Sequence, residues 1–420
     1  MQKDITVYLI VHDYATDIRT GGGQRTHMFF EAAKKIARTE VIVLGMQPRP
    51  ELAALFPGAA KVHRVRETGF PPRAPTRIGR LVASARRLGN IRRHFAPDPQ
   101  VQREIQAIVT RSDLSVVLVR YAYPYFKMGL SSDRNRSRLV MVDLDDLDDK
   151  KYETESRRRF GAIPTRLVMD PLVLAPLQRI LAQGLAKTSG TWVCAAEDAQ
   201  SYPGVISRIV PNVPYLPSGP AGGDRAFPRA STGQDVLFLA SARHAPNQQG
   251  ITWFLQTCWP ALSDRFPDAE LRIVGHKDWS FLRDGFGHLT RVHFGGTVAD
   301  IATEYARARL AISPVTLGAG TKIKVVEAFA FGRPVVLTSH SARGFETHFS
   351  GQMAVADTAG AFVDACARFL SDPDLADRTG ADLQAAQMAH FSFGAAVTRI
   401  VDDVQSAVGR AYPGRNGQST

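Results

Sequence analysis

Short runs of β-branched and aliphatic residues alternate with longer helical patterns along almost the whole chain. This alternation restricts the fold to parallel sheets built from βαβ units. The strand candidates of the first half are Ile5–Val11, Glu40–Leu44, Val116–Val119, Leu139–Val142 and Thr191–Cys194. Those of the second half are Val236–Leu239, Glu270–Val274, Arg291–Phe294, Leu310–Ser313 and Pro334–Thr338, with helical patterns such as Ile251–Leu262 and Asp300–Ala308 behind them. Between the two series runs a stretch with prolines at 211, 214, 217 and 220, followed by a glycine-rich continuation to about Gly233. Neither a helix nor a central strand tolerates that spacing, so it reads as a linker. The chain therefore divides into an N-terminal α/β domain (1–210), a linker (211–233), a C-terminal α/β domain (234–392), and a final helix and tail (393–420) expected to pack back on the first domain. Each domain is a doubly wound, Rossmann-like sheet. Ligands of such sheets sit beyond the carboxyl ends of the strands, so the loops leaving those ends are where function is sought.

A length of 420 residues suits two domains. No apolar run approaches the roughly 18–20 residues that span a bilayer, and the start at Met1-Gln2-Lys3-Asp4 lacks the apolar core of a signal peptide. The expectation is a soluble, cytoplasmic protein. Cys194, Cys258 and Cys366 lie far apart with no C-x-x-C pair, which supports neither a zinc site nor a disulfide framework. The formal charge is +12, and it is concentrated: between Lys61 and Phe95 stand ten Lys or Arg residues against one acid, Glu67. Ile78, Leu81, Val82, Leu88 and Ile91 are spaced helically among the arginines there. A basic amphipathic helix of this kind suits an anionic membrane surface, here the inner face of the cell membrane, and a plain solvated face is the other reading. No nucleic-acid motif accompanies the charge, so nucleic acid is not expected as a partner.

The most informative stretch runs from Leu310 to Val336 and reads strand, loop, helix, strand. Gly318 and Gly320 let the backbone bend tightly and approach a ligand. Thr321 is expected to cap a helix through Ile323, Val326 and Ala330. Lys322 and Lys324 then fall in its first turn, the wrong end of the dipole for a cation, at a cost of about 0.3–1 kcal/mol each. A bound anion reverses that sign, because free N–H groups and both ammonium groups would face negative charge. Glu327 follows three residues after Lys324 on a neighbouring part of the helix face. A carboxylate beside a phosphate site suits the hydroxyls of a ribose.

In order and spacing these residues resemble the C-terminal domain of family 4-like glycosyltransferases of the GT-B fold (glycosyl transferases group 1). The resemblance covers Phe238 to about Phe393. It is carried by Phe238–Asn247, Gly250-Ile251 with Trp253-Phe254, Trp259-Pro260, Leu271–Gly275, Val292–Gly295, Val298 with Asp300, the loop just described, Gly332 with Pro334–Thr338, and Arg343–Phe345. It implies two Rossmann-like domains facing each other across a cleft, the N-terminal one for the acceptor and the C-terminal one for the nucleotide-sugar donor, with transfer of a hexose-type sugar from a nucleotide-diphosphate donor to an acceptor hydroxyl. It further implies retention of configuration, with the phosphate oxygen accepting the acceptor's proton. The products expected from family habit are cell-surface polysaccharide or glycolipid, made on a carbohydrate or lipid-linked acceptor. The nucleotide sugar is then a co-substrate, and neither metal nor other cofactor is required.

The resemblance assigns Gly318, Ala319, Gly320, Thr321, Lys322, Arg243, His244, Asn247 and Val298 to donor binding. Glu327 and Lys324 become candidate catalytic residues, Glu327 through the ribose. Two positions depart from the family. Many members carry two glutamates eight positions apart, and the first position here is Ala319. Many also carry a basic pair after the first strand of this domain, where this chain has Gln249 at the second position and Arg243 displaced from the first. These departures leave room for a non-catalytic nucleotide-sugar-binding subunit or a nucleotide-sugar epimerase on the same fold.

The N-terminal half offers Gly21-Gly22-Gly23-Gln24-Arg25 after the first strand, with Gly22 and Gly23 as candidates for an acceptor-side loop. The G-x-G-x-x-G spacing of a dinucleotide site is absent. Asp143-Leu144-Asp145-Asp146 follows a strand and reads as an acidic strand end rather than a metal site; the resemblance implies that Asp143 or Asp146 orients the acceptor. Asp143 is the third candidate catalytic residue. Arg120 and Tyr121, at another strand end, are candidates for acceptor contact. His12 and His27 read as structural.

Overall fold

The computed structural model describes residues 5–18, 20–45, 52–67, 91–110, 113–133, 137–145, 147–160, 165–214, 233–318 and 321–412. They form two compact units. The first comprises Met1–Ile18, Gly22–Val210 and Ala396–Thr420, and the second Arg19–Gly21 and Pro211–Ala395.

The first unit holds a seven-stranded parallel sheet in the order β3-β2-β1-β4-β5-β6-β7. Its strands are β1 (Ile5–His12), β2 (Arg38–Gly45), β3 (Lys61–Arg66), β4 (Leu114–Arg120), β5 (Arg138–Asp145), β6 (Gly190–Val193) and β7 (Ser207–Ile209). The central strands β4 and β5 are buried along their whole length, as continuous aliphatic runs covered on both faces require. Tyr8, Ile10, Val117, Val119, Val140 and Val142 pack there with Leu177 and Leu181 of the helix Ala175–Leu185. Helix α1 (Gly21–Ile36) supplies Met28, Phe29 and Phe30, and a second long helix, Pro99–Val109, starts from Asp98, whose carboxylate accepts from the amides of Gln100 and Val101.

Two short strands of this first sheet were not expected from the sequence. β3 belongs to the basic belt. It is an edge strand whose Lys61, Arg64 and Arg66 are exposed, and charge on an edge discourages pairing with another sheet. β7 is only three residues long. Residues 68–90 of the belt, with Ile78, Leu81, Val82 and Leu88 of the amphipathic segment, lie outside the described residues, and Arg92 and Arg93 fall in a short helix, Ile91–His94. No helix among the described residues is long and apolar enough to cross a membrane.

The second unit holds a six-stranded parallel sheet in the order β10-β9-β8-β11-β12-β13. The strands are β8 (Asp235–Leu239), β9 (Leu271–Val274), β10 (Val292–Phe294), β11 (Ala308–Ser313), β12 (Val335–Leu337) and β13 (Ala354–Val355). Phe238, Ile273, Trp259, Trp279 and Phe254 form its core with Phe362, Phe369 and Leu370 of the helix Ala359–Ser371. Gly380, in the helix Pro373–Phe391, touches the turn at Gly332 so closely that a Cβ would lie 2.1 Å from the Gly332 carbonyl oxygen.

The last helix, Phe393–Ala411, buries Val397, Ile400 and Val404. From Ala396 onward it belongs to the first unit, where Asp403 accepts a 2.8 Å hydrogen bond from the Trp192 indole and pairs with Arg208 at 3.2 Å.

Candidate functional site

Strand order reverses between β8 and β11 in the second sheet, and the loops leaving a parallel sheet at such a point diverge to leave a crevice. Residues from both loops meet there. After β8 come Ser241, Arg243 and His244, then helix α2 (Ala245–Thr257). After β11 come Pro314 to Lys322, then helix α3 (Ile323–Ala330). Helix α2 closes on the loop after β11 through Gly250: a Cβ there would stand 2.6 Å from the Pro314 carbonyl oxygen. From beneath, Thr338 and Ser341 both hydrogen-bond to the carbonyl of Val315. The loop thus rests on a fixed floor.

Side chains cap the helices beginning at Ile301, Ala359 and Pro373, through Asp300, Thr358 and Asp372. Neither α2 nor α3 has such a cap. The residue preceding α3 is Lys322, extended at φ −89°, and not Thr321 as the sequence suggested. Thr321 is 8% exposed, and its hydroxyl is buried with no hydrogen-bond partner among the described residues. It misses the capping role because the helix begins one residue later than the glycines and threonine imply. Gly318 has φ +104°, a conformation open to glycine, which lets its carbonyl accept from Lys322 Nζ at 3.4 Å. Ala319 and Gly320 lie outside the described residues.

Lys324 donates to the Asn247 side-chain oxygen and lies 5.4 Å from the centroid of the Phe238 ring. Asn247 is buried and donates in turn to the Ser241 carbonyl at 3.0 Å. Burial, and then the neighbouring Lys322 ammonium, push the Lys324 amine down to about 7. Burial and the same two lysines push His244 down to about 4. His340 hydrogen-bonds to the backbone at Gly318 and Leu317. Burial, Lys322 and Arg343 hold its pKa below the ordinary imidazole value, and its Nε2 has no partner among the described residues. Cations crowded at an uncapped helix start, with the buried Thr321 hydroxyl left over, form a place that a phosphate would complete.

Glu327 lies one turn further into α3. It is 5% exposed, and its Oε1 accepts a 3.0 Å hydrogen bond from Tyr305 of the helix Ile301–Arg307. Tyr305 stacks on Phe331 at 4.5 Å. Burial raises the Glu327 carboxyl to about 7 despite the tyrosine. Of the remaining donor-side candidates, Arg243 is exposed after β8, as is Gln249 on α2. Val298 follows β10, the edge strand two places from β8.

The first sheet has its own reversal, between β1 and β4, and there the sequence expectations need correction. Gly22 and Gly23 are not a loop but the first turn of α1. A Cβ on Gly23 would overlap the Asp17 carbonyl, and one on Gly22 would stand 2.6 Å from the Tyr121 hydroxyl. Asp143 is 1% exposed and held between two arginines: Arg25 Nε lies 2.9 Å from its Oδ2, and Arg120 forms an ion pair with the same oxygen. It is an internal counter-ion rather than a group offered to an acceptor. Arg120 is fully buried, bonded also to Asp145, Thr26 Oγ1 and the Gly22 carbonyl, so it organises strand ends instead of reaching a ligand. Asp146 lies outside the described residues.

Tyr121 is half-buried at φ +73° and donates to Asp145 at 3.2 Å. Asp145 itself has φ +54°. Although burial opposes it, the charges of Arg120, Arg25 and Lys151 hold its carboxyl far below the ordinary range. Arg25 and Asp145 escaped sequence reading. Asp145 sits in the flagged acidic run, but the register shift between Asp143 and Asp145 that separates their surroundings has no local sequence mark.

Comparison with known proteins agrees with this fold. The class comes first: residues 233–372 match the family described as Glycosyl transferases group 1, and the fold is GT-B. Sucrose-phosphate synthase from Thermosynechococcus elongatus aligns over 96% of this chain and 99% of its own at a TM-score of 0.64 and 14% identity. Anabaena Alr3699/HepE in complex with UDP and glucose aligns over 96% and 99% at 0.62 and 13%. At those identities the likeness is one of fold. Among particular proteins, the chain is similar to a phosphatidyl-myo-inositol mannosyltransferase of Mycobacterium tuberculosis, 37% identical over 113 residues, which cover 26% of this chain and 29% of that one. A protein of the same name from Mycolicibacterium smegmatis is 31% identical over 191 residues, covering 43% and 47%. The chain thus matches less than half the length of these relatives. The resemblance read from the sequence is borne out.

Proposed function

We propose that this chain is a glycosyltransferase that moves a hexosyl group from a nucleoside-diphosphate sugar to the hydroxyl of a lipid-linked or carbohydrate acceptor. The observation that carries the reading is the meeting, at the β8/β11 reversal, of two uncapped helix starts with Lys322, Lys324 and the unpartnered Thr321 hydroxyl. Negative charge grows on a diphosphate as it leaves, and fixed N–H groups and ammonium groups stabilise it without reorganising. Glu327, one turn along, is the group for the ribose hydroxyls. To accept from them it must exchange its bond with Tyr305, or keep that bond on one oxygen and use the other. The name shared by the mycobacterial relatives supports a lipid-linked acceptor, and a neighbour of the same fold was seen with UDP and glucose. In this reading the sugar is transferred with retention, the departing phosphate oxygen takes the acceptor's proton, and no metal is needed. Activity at the inner membrane face, in making cell-surface glycolipid or polysaccharide, belongs to the same proposal.

Calorimetric titration with UDP and GDP, followed by hydrolysis of the matching hexose conjugates, tests it. Binding that collapses in Lys324→Ala, together with turnover lowered on the order of 10²–10³-fold, is the expected result. No binding of either nucleotide sinks the proposal. A second reading, a non-catalytic nucleotide-sugar-binding subunit, is favoured by Ala319 where many family members have glutamate; it is distinguished by binding with no turnover of any conjugate.

A further inference from the structure

The reversal between β1 and β4 in the first sheet is the counterpart of the phosphate site, yet it is lined with different chemistry. Immediately after β1, Tyr14 sits in a single 3-10 turn with 54% of its surface exposed. Its ring is not loose. It stacks on His12 at 4.4 Å and 27°, and Tyr121, immediately after β4, stands 5.7 Å away. His12 is fixed from both sides, by Asp13 at 2.7 Å and Glu67 at 3.3 Å, and Tyr123 bonds to the same Glu67. The strained backbone at Tyr121, the 3.2 Å bond from its hydroxyl to Asp145, and the Arg120 guanidinium 4.5 Å from its ring centroid hold the second ring. Two aromatic rings, rigidly backed, therefore open at the point where this sheet should take a ligand.

The charge around them selects the ligand. The side chains of Asp13 and Asp148 are 24% and 22% exposed, and Glu67, Asp145 and Asp148 all act on the Tyr14 hydroxyl, as does Arg120 with opposite sign. Lys151, 5.3 Å from the Tyr121 ring centroid, pairs with Asp148 at 3.9 Å. Carboxylates beside an exposed ring suit a molecule with an apolar C–H face and hydroxyl donors at its edge. They repel a phosphate. Resting on the glycosyltransferase reading, in which the first unit takes the acceptor, we infer that the acceptor presents at the β1/β4 reversal a neutral pyranose ring stacked on Tyr14, with its hydroxyls directed to Asp13 and Asp148.

Saturation-transfer NMR on the full chain, with methyl α-D-mannopyranoside, methyl β-D-glucopyranoside and myo-inositol 1-phosphate as probes, tests this directly. At least one pyranoside should receive saturation and the phosphate should not. Tyr14→Ala should weaken pyranoside binding roughly threefold to tenfold, Tyr14→Phe should retain it, and UDP or GDP affinity should stay unchanged in both. Absence of contact with both pyranosides, equal contact in wild type and Tyr14→Ala, or preference for the inositol phosphate overturns the inference. Nucleotide binding is measured in the same samples, so loss of the donor reading registers separately.

Discussion

Tyr305 donates a 3.0 Å hydrogen bond to Glu327, and both side chains are shut away from solvent, at 1% and 5% exposure. A carboxyl so placed is tied to the helix packing of the second unit as well as to its candidate ligand. Glu327→Ala should lower nucleotide-sugar turnover at least about tenfold, by the loss of a charge-assisted bond to the ribose. Tyr305→Phe should cost only about 1 kcal/mol of stability and leave turnover within a few-fold. If Glu327→Ala turns over donor as wild type does, the ribose role is lost; steady-state kinetics beside a denaturant melt separates the two effects.

Stability without nucleotide should pass through a minimum near neutral pH, so far as these two groups govern it. The Glu327 carboxyl is raised to about 7, so its contribution is present below its unfolded value and lost as pH rises towards 7. The Lys324 amine is lowered to about 7, so its contribution is present above its unfolded value and lost as pH falls towards 7. Thermal melts of wild type across pH 5–9 should show a shallow valley, and Lys324→Met should remove its alkaline wall.

Diphosphate binding should take up a proton near pH 7. An anion beside Lys324 favours its charged form and raises its pKa. Titration of UDP or GDP in two buffers of different ionisation enthalpy measures the uptake, and Lys324→Met should abolish most of it. Equal heats in both buffers would contradict the placement of this lysine against the phosphate.

Asp143→Ala should be poorly folded, for it leaves the buried guanidinium groups of Arg25 and Arg120 without their shared counter-ion. Removing one partner of such a cluster typically costs about 3–5 kcal/mol. A soluble Asp143→Ala protein with a wild-type melting point and selectively raised acceptor KM would restore the acceptor role that the sequence suggested.

Gly250→Ala should weaken nucleotide binding without touching any ligand contact. The added methyl meets the Pro314 carbonyl and pushes helix α2 away from the loop after β11, an overpacking of about 1–3 kcal/mol. Nucleotide titration of the variant checks it, and unchanged affinity would show that helix and loop tolerate separation.

The sheets were legible because a parallel strand buried on both faces must be written as an aliphatic run; β1, β4 and β11 were located to within a residue or two at each end. β3 and β13 escaped because edge strands lack that run, β3 being half basic and β13 two residues long. In the site, Lys322, Lys324 and Gly318 declared themselves by residue type at a strand-to-helix junction. Thr321 was assigned a cap it does not form, since one residue of phase at a helix start is beyond what spacing can resolve. Asp143 misled for a different reason. Its partner Arg25 is 118 positions away, and only the parallel pairing of β1 with β4 and β4 with β5 brings α1 over it.

The contact between Trp192 and Asp403 joins the middle of the chain to residues made after the entire second unit. During synthesis, then, the first sheet is complete by Ile209 but stays uncovered beside β6 and β7 while nearly two hundred further residues emerge. A nascent first unit must wait, with an indole and an arginine unmatched, for a helix that arrives last.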